Sequence, residues 1–116
     1  MYDQRALRRK ADVIKAMAHP SRLIIIDTLG SDEMCVGDLQ KVVGSDISTV
    51  SKHLSVLRNA GIVEDRKDGL MVYYRLRTPC VAEFLRCADA MVEGRSFDVP
   101  HDLAEQMRRE RARATG

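Results

Sequence analysis

At Gly61 the chain changes its hydrophobic period. Before it, DISTVSKHLSVLRNA (residues 46–60) spaces Ile47, Val50, Leu54 and Leu57 for one buried helical face. After it, IVEDR (62–66) and MVYYRLR (71–77) alternate and are rich in strand formers, with KDGL between them. Asp68-Gly69 is a strong hairpin signal, because glycine reaches the positive φ that a tight turn needs. A helix therefore runs directly into a β-hairpin, which leaves few small folds to choose from.

The flanking segments narrow the choice. Leu7, Ala11, Ile14 and Ala18 form a stripe that predicts a helix over 4–18. His19-Pro20 ends it, since the residue before proline avoids the helical region. Pro20 opens a second helix over 20–29, apolar from Leu23 to Ile26 and stopped by Gly30. Val36, Leu39, Val42 and Val43 mark a short third helix over 36–43, ended by Gly44. Asp46 is placed to N-cap the fourth, over 47–60. Two short helices joined by a tight glycine-containing turn form a helix-turn-helix. Thr78 as N-cap and Pro79 at the first position predict a helix to about Glu93. Residues 94–100 read as a loop and 101–113 as a charged helix.

This order is that of a winged helix-turn-helix: mainly α with a β-hairpin wing (α+β), residues 1–93 forming the domain and 94–116 a loop with a charged tail. A length of 116 residues suits one core. No apolar run reaches 18 residues and MYDQRALRRKADVIKAM lacks a secretory pattern, so the expected location is the cytoplasm, away from membranes. Three cysteines, an odd number in such a chain, read as reactive, metal-binding or buried thiols rather than disulfides. No nucleophile–base–acid set and no phosphate-binding glycine loop is present, so an enzyme is not expected.

The fourth helix has an unusual outer face: Ser48, Ser51, Lys52, Ser55 and Asn59. A merely solvated face would carry the long residues that favour helix. Short hydroxyls instead let a helix come close to DNA and bond phosphates or base edges. The alternative is a surface helix that happens to be rich in serine; the hairpin directly after it favours DNA. Ser48, Thr49, Ser51, Lys52 and His53 are the expected DNA contacts, with Arg66 and Lys67 of the wing against the neighbouring backbone.

AHPSRLIIIDTL (18–29), STVSKHLSVLRNAGIV (48–63) and DGLMVYYRL (68–76) resemble the second helix, recognition helix and wing of the ArsR/SmtB family of metalloregulatory repressors. EMCVGDL (33–39) is similar to that family's metalloid box, Glu-Leu-Cys-Val-Cys-Asp-Leu. The resemblance covers roughly residues 8–93. It implies a homodimer formed by the first helix and the helix after the wing, seated on an inverted-repeat operator in double-stranded DNA and released by an inducer. Apolar stripes on the first helix and at Val81, Phe84, Leu85, Ala88 and Val92 agree with such a dimer, although both could also complete a monomer core.

The chain departs from the family pattern at its thiols. Gly37 stands where the box has its second cysteine, and Gln40 where a third ligand can occur. Asp89, Glu93, Asp98 and His101 do not keep the spacing of the family's late-helix zinc site. Cys35, Cys80 and Cys87 remain, and thiolates suit soft acceptors. Trivalent arsenic takes three, so As(III) or Sb(III) is the first expected inducer, another thiophilic metal ion the next, with no permanent cofactor. Cys80 and Cys87 lie about 10 Å apart along a regular helix, so Cys80 would need an irregular first turn to share an ion. The competing reading makes Cys80, at a helix start, the oxidisable thiol of a redox or persulfide sensor. In the third, Cys87 is a small core residue.

Overall fold

The computed structural model describes residues 1–94 and 101–115. Its elements are α1 (Gln4–Met17), α2 (Pro20–Leu29), β1 (Met34–Cys35), α3 (Val36–Val43), α4 (Ile47–Asn59), β2 (Val63–Asp68), β3 (Met71–Leu76), α5 (Val81–Glu93) and α6 (His101–Thr115). The expected winged helix-turn-helix is what the chain forms. The loop expected at 94–100 falls, after Gly94, outside the described residues.

The ends of the helices follow from local chemistry. Asp3 caps α1 by accepting the Arg5 N–H at 3.0 Å. His19, extended before Pro20, caps α2 with its ring: Nδ1 accepts the Ser21 N–H at 3.0 Å. Gly44, with φ of 82°, ends α3 in the left-handed region, where its N–H reaches the Gln40 carbonyl. Two residues later Asp46 accepts the Thr49 N–H at 2.7 Å and starts α4. The turn of the helix-turn-helix is thus one αL glycine followed by one capping carboxylate.

Residues 1–82 form one compact unit. Its centre is Ile25, Ile26 and Leu29 of α2, Leu39 of α3, Val50, Leu54 and Leu57 of α4, and Val63 at the root of the wing. Ile47, expected on the buried face of α4, is not there: it is 50 % exposed, and Val42 across the turn is 49 % exposed. Both flank the tight α3–α4 turn.

The sheet has the order β1-β3-β2, antiparallel throughout. Asp68 pairs with Met71, leaving Gly69-Leu70 as a two-residue turn. Gly69 has φ of 61° and Leu70 does not share the positive φ, which suits a type II′ turn. Cys35 pairs with Tyr73 of β3, so the segment before α3 lies along the second wing strand.

The second unit comprises residues from Glu83 onward. The helix leading into it starts later than expected. The Thr78 hydroxyl donates to the Gly61 carbonyl at 3.5 Å instead of capping, and the Val81 and Ala82 N–H groups close tight turns onto Thr78 and Pro79. Cys80 therefore precedes α5 rather than sitting in its first turn.

Candidate nucleic-acid interface

α4 is amphipathic in the sense that matters for reading DNA. Val50, Leu54 and Leu57 are buried, while Ser48, Ser51, Lys52 and Ser55 are exposed. Serine protrudes little, so a partner can approach this side of the helix backbone closely. Lys52 is exposed and has no ion-pair partner among the described residues. Thr49 is half-buried. The Asp46 carboxyl is held below its ordinary range by hydrogen bonds from the Thr49 side chain and N–H, with smaller help from Lys52 and Ser48. The start of the helix is therefore organised around one carboxylate.

His53 is not on this face. It is 9 % exposed and lies among the core side chains. Arg22 Nε of α2 donates to its Nδ1 at 3.1 Å, and the ring packs against His19 with centroids 4.4 Å apart. Two residues beyond Ser51 and one before Leu54, its helical position turns it inward. The expectation that His53 touches DNA is corrected accordingly.

The wing carries three acidic side chains, Glu64, Asp65 and Asp68, and three basic ones, Arg66, Lys67 and Arg75. Most are paired within the protein. Arg66 grips Glu33 in the loop before β1 with two hydrogen bonds, 2.6 and 3.2 Å, lies 3.6 Å from Asp68 and stacks over the Tyr73 ring at 4.8 Å. The hydrogen bond from Arg66 holds the Glu33 carboxyl below its ordinary range, and the same bond keeps Arg66 more firmly protonated. Arg75 pairs with Glu64 at 2.7 Å and Arg58 of α4 with Asp65 at 3.1 Å. Arg66, expected to contact DNA, thus already braces the wing against the body of the domain. Lys67 is exposed and has no ion-pair partner among the described residues. At the tip, Leu70 stands fully in solvent. Sequence reasoning missed the Glu33–Arg66 pair because its members are 33 residues apart.

All three cysteines are free thiols. Cys35 is buried in β1, Cys80 is exposed before α5, and Cys87 is half-buried on α5. A Cβ added at Gly37 would stand 4.0 Å from the Cys35 sulfur, so the position that holds a second thiol in the metalloid box does lie beside the first. Among the described residues no three His, Cys, Asp or Glu side chains gather closely enough to hold a metal ion. Cys35 and Cys80 belong to the first unit and Cys87 to the second. Among the described residues no helix is long and apolar enough to cross a membrane.

Comparison with known proteins agrees with this architecture. A family described as bacterial regulatory protein, arsR family, matches residues 19–65. An uncharacterized HTH-type transcriptional regulator of Mycobacterium tuberculosis is 40 % identical over 80 residues, 68 % of this chain and 70 % of that protein. The biofilm growth-associated repressor of Xylella fastidiosa is 37 % identical over 75 residues, 65 % of this chain and 66 % of that protein. The homodimeric winged helix-turn-helix DNA-binding domain of a possible ArsR-family regulator of Mycobacterium bovis superposes with a TM-score of 0.70 at 31 % identity, covering 85 % of this chain and 97 % of that one.

Proposed function

The chain belongs to the arsR family of bacterial regulatory proteins, which are DNA-binding transcriptional regulators and not enzymes, and from that premise we propose that it is a dimeric repressor of an inverted-repeat operator. The observation that carries the reading is the exposed hydroxyl face of α4 opposite the buried Val50, Leu54 and Leu57. Ser48, Ser51 and Ser55 suit close approach to the major groove, Thr49 joins them at the helix start, and Lys52 and Lys67 supply phosphate contacts. Ile47, half-exposed at the same end, suits a thymine methyl group. Dimerisation would cover Ile14 of α1 and Phe84, Met91 and Val92 of α5, all left exposed on a single chain. Its place of action would be the cytoplasm.

The test is selection from a random duplex library. The enriched sequences are expected to be inverted repeats, and Ser51→Ala with Lys52→Ala should abolish enrichment while the dimer stays folded. Unchanged enrichment would remove α4 from the interface.

For the inducer we propose a thiophilic agent that acts on Cys35, Cys80 and Cys87, with As(III) or Sb(III) first. Cys35 and Cys80 lie in the first unit and Cys87 in the second, and a ligand can also come from the partner subunit. A second reading, a redox or persulfide sensor, is favoured by the exposure of Cys80 to solvent oxidants. Native mass spectrometry of the reduced protein separates the two. An arsenic adduct with three protons lost supports the first; no adduct with arsenite, but a sulfur-bridged product after a persulfide donor, supports the second.

A further inference from the structure

The buried histidine of α4 is used by nothing in the reading above, yet it ties three helices together. Arg22 of α2 donates from Nε to His53 Nδ1 and from Nη1 to the Ala16 carbonyl near the end of α1, at 3.1 and 3.2 Å. His19, between α1 and α2, closes the cluster against the His53 ring. An arginine is always a donor, so His53 Nδ1 must be an acceptor, and the ring is neutral with its proton on Nε2. Protonation of Nδ1 removes the acceptor and sets an imidazolium against a guanidinium.

We infer that His53 is a positioning residue of the reading helix, clamped in its neutral form by Arg22, and that its protonation loosens α4 and weakens DNA binding. The inference rests on the operator-binding reading. The charged and titratable groups that act on His53 are His19 from the α1–α2 junction and Arg22 from α2, whose Nη1 is in turn held by the Ala16 carbonyl of α1. Burial first, and then these two neighbours, push the His53 pKa down from its ordinary value of 6.5. The sign follows. The neutral clamp is intact above pH 6.5, where even the unfolded chain leaves the ring uncharged, and it is lost as the pH falls through the lower value of the folded protein. Acidification otherwise adds positive charge, which strengthens attraction to phosphates. Weaker binding in acid therefore runs against the general trend and marks a specific group.

The experiment is fluorescence anisotropy of the full chain on the selected duplex, from pH 8 to about 5.5 at constant ionic strength, across the histidine range. Wild-type affinity should be flat above pH 6.5 and then fall, approaching about tenfold per pH unit per subunit once protonation is complete. His53→Asn places a non-titrating oxygen where Nδ1 lies; it should bind normally at pH 8 and stay flat in acid. His19→Asn, which keeps a capping side chain, should retain the wild-type loss. Wild-type affinity that holds or rises in acid, or a loss that survives His53→Asn, overturns the inference. If His53→Asn fails to fold, an NMR titration of the wild type decides: the His53 ring and the α4 amides should shift together, and a titrating ring with unmoved amides overturns it. Absence of binding at every pH would instead sink the operator reading itself.

Discussion

At the scale of single residues, exposed charges with similar sequence positions have different work to do. Arg66 and Lys67 are neighbours on β2, but Arg66 is held by Glu33, Asp68 and the Tyr73 ring while Lys67 has no ion-pair partner among the described residues. Each phosphate neutralised on DNA contributes about −0.9 to the slope of log affinity against log salt. Lys67→Ala should flatten that slope by about this amount per subunit. Arg66→Ala should leave the slope nearly unchanged and instead loosen the wing, read as faster amide exchange in β2 and β3. Equal effects on the slope would show that Arg66 lets go of Glu33 to meet DNA. The difference between the two residues was not legible in the sequence, where both are simply basic residues near a hairpin. Nor was the partner of His53, which is 31 residues away, although a spacing of three from Val50 and four from Leu57 already put His53 itself on the buried face. Side-chain pairing over such separations depends on the packing of whole elements, which periodicity does not encode.

At the scale of elements, the sequence was far more explicit. α2 and α3 have the expected bounds because Pro20, Gly30 and Gly44 act on the backbone locally, before any tertiary contact forms. The wing was legible for the same reason, through Asp68-Gly69 and alternation on either side. The α5 start was missed because Thr78 spends its hydroxyl on the distant Gly61 carbonyl. The turn between α3 and α4 offers the cleanest test of backbone control. Gly44 has φ of 82° and open space around the position of a Cβ. Gly44→Ala would therefore clash with nothing yet carry a left-handed conformation that costs an L-residue about 1–2 kcal/mol. We expect thermal unfolding to report a loss of that size. No loss would mean that the turn readily adopts another path from α3 into α4.

At the scale of the molecule, one chain is an incomplete surface. Ile14 of α1 is 48 % exposed, Phe84 of α5 is 50 % exposed, and Met91 and Val92 are more exposed still. A second copy is the occupant we expect. Phe84→Asp should shift sedimentation from dimer toward monomer and, since an inverted repeat needs two reading heads in register, should cost most of the operator affinity. A dimer unaffected by this change would place the interface elsewhere. The paired charges of the wing bear on a different matter, the competition among sites along a chromosome. Attraction to phosphate is felt equally at every one of the roughly 10⁶–10⁹ nonspecific positions in a genome. Because its three acids balance its three bases, the wing adds little to that indiscriminate hold. A regulator built this way spends less of its time parked on irrelevant DNA, so fewer copies per cell suffice to keep one operator occupied.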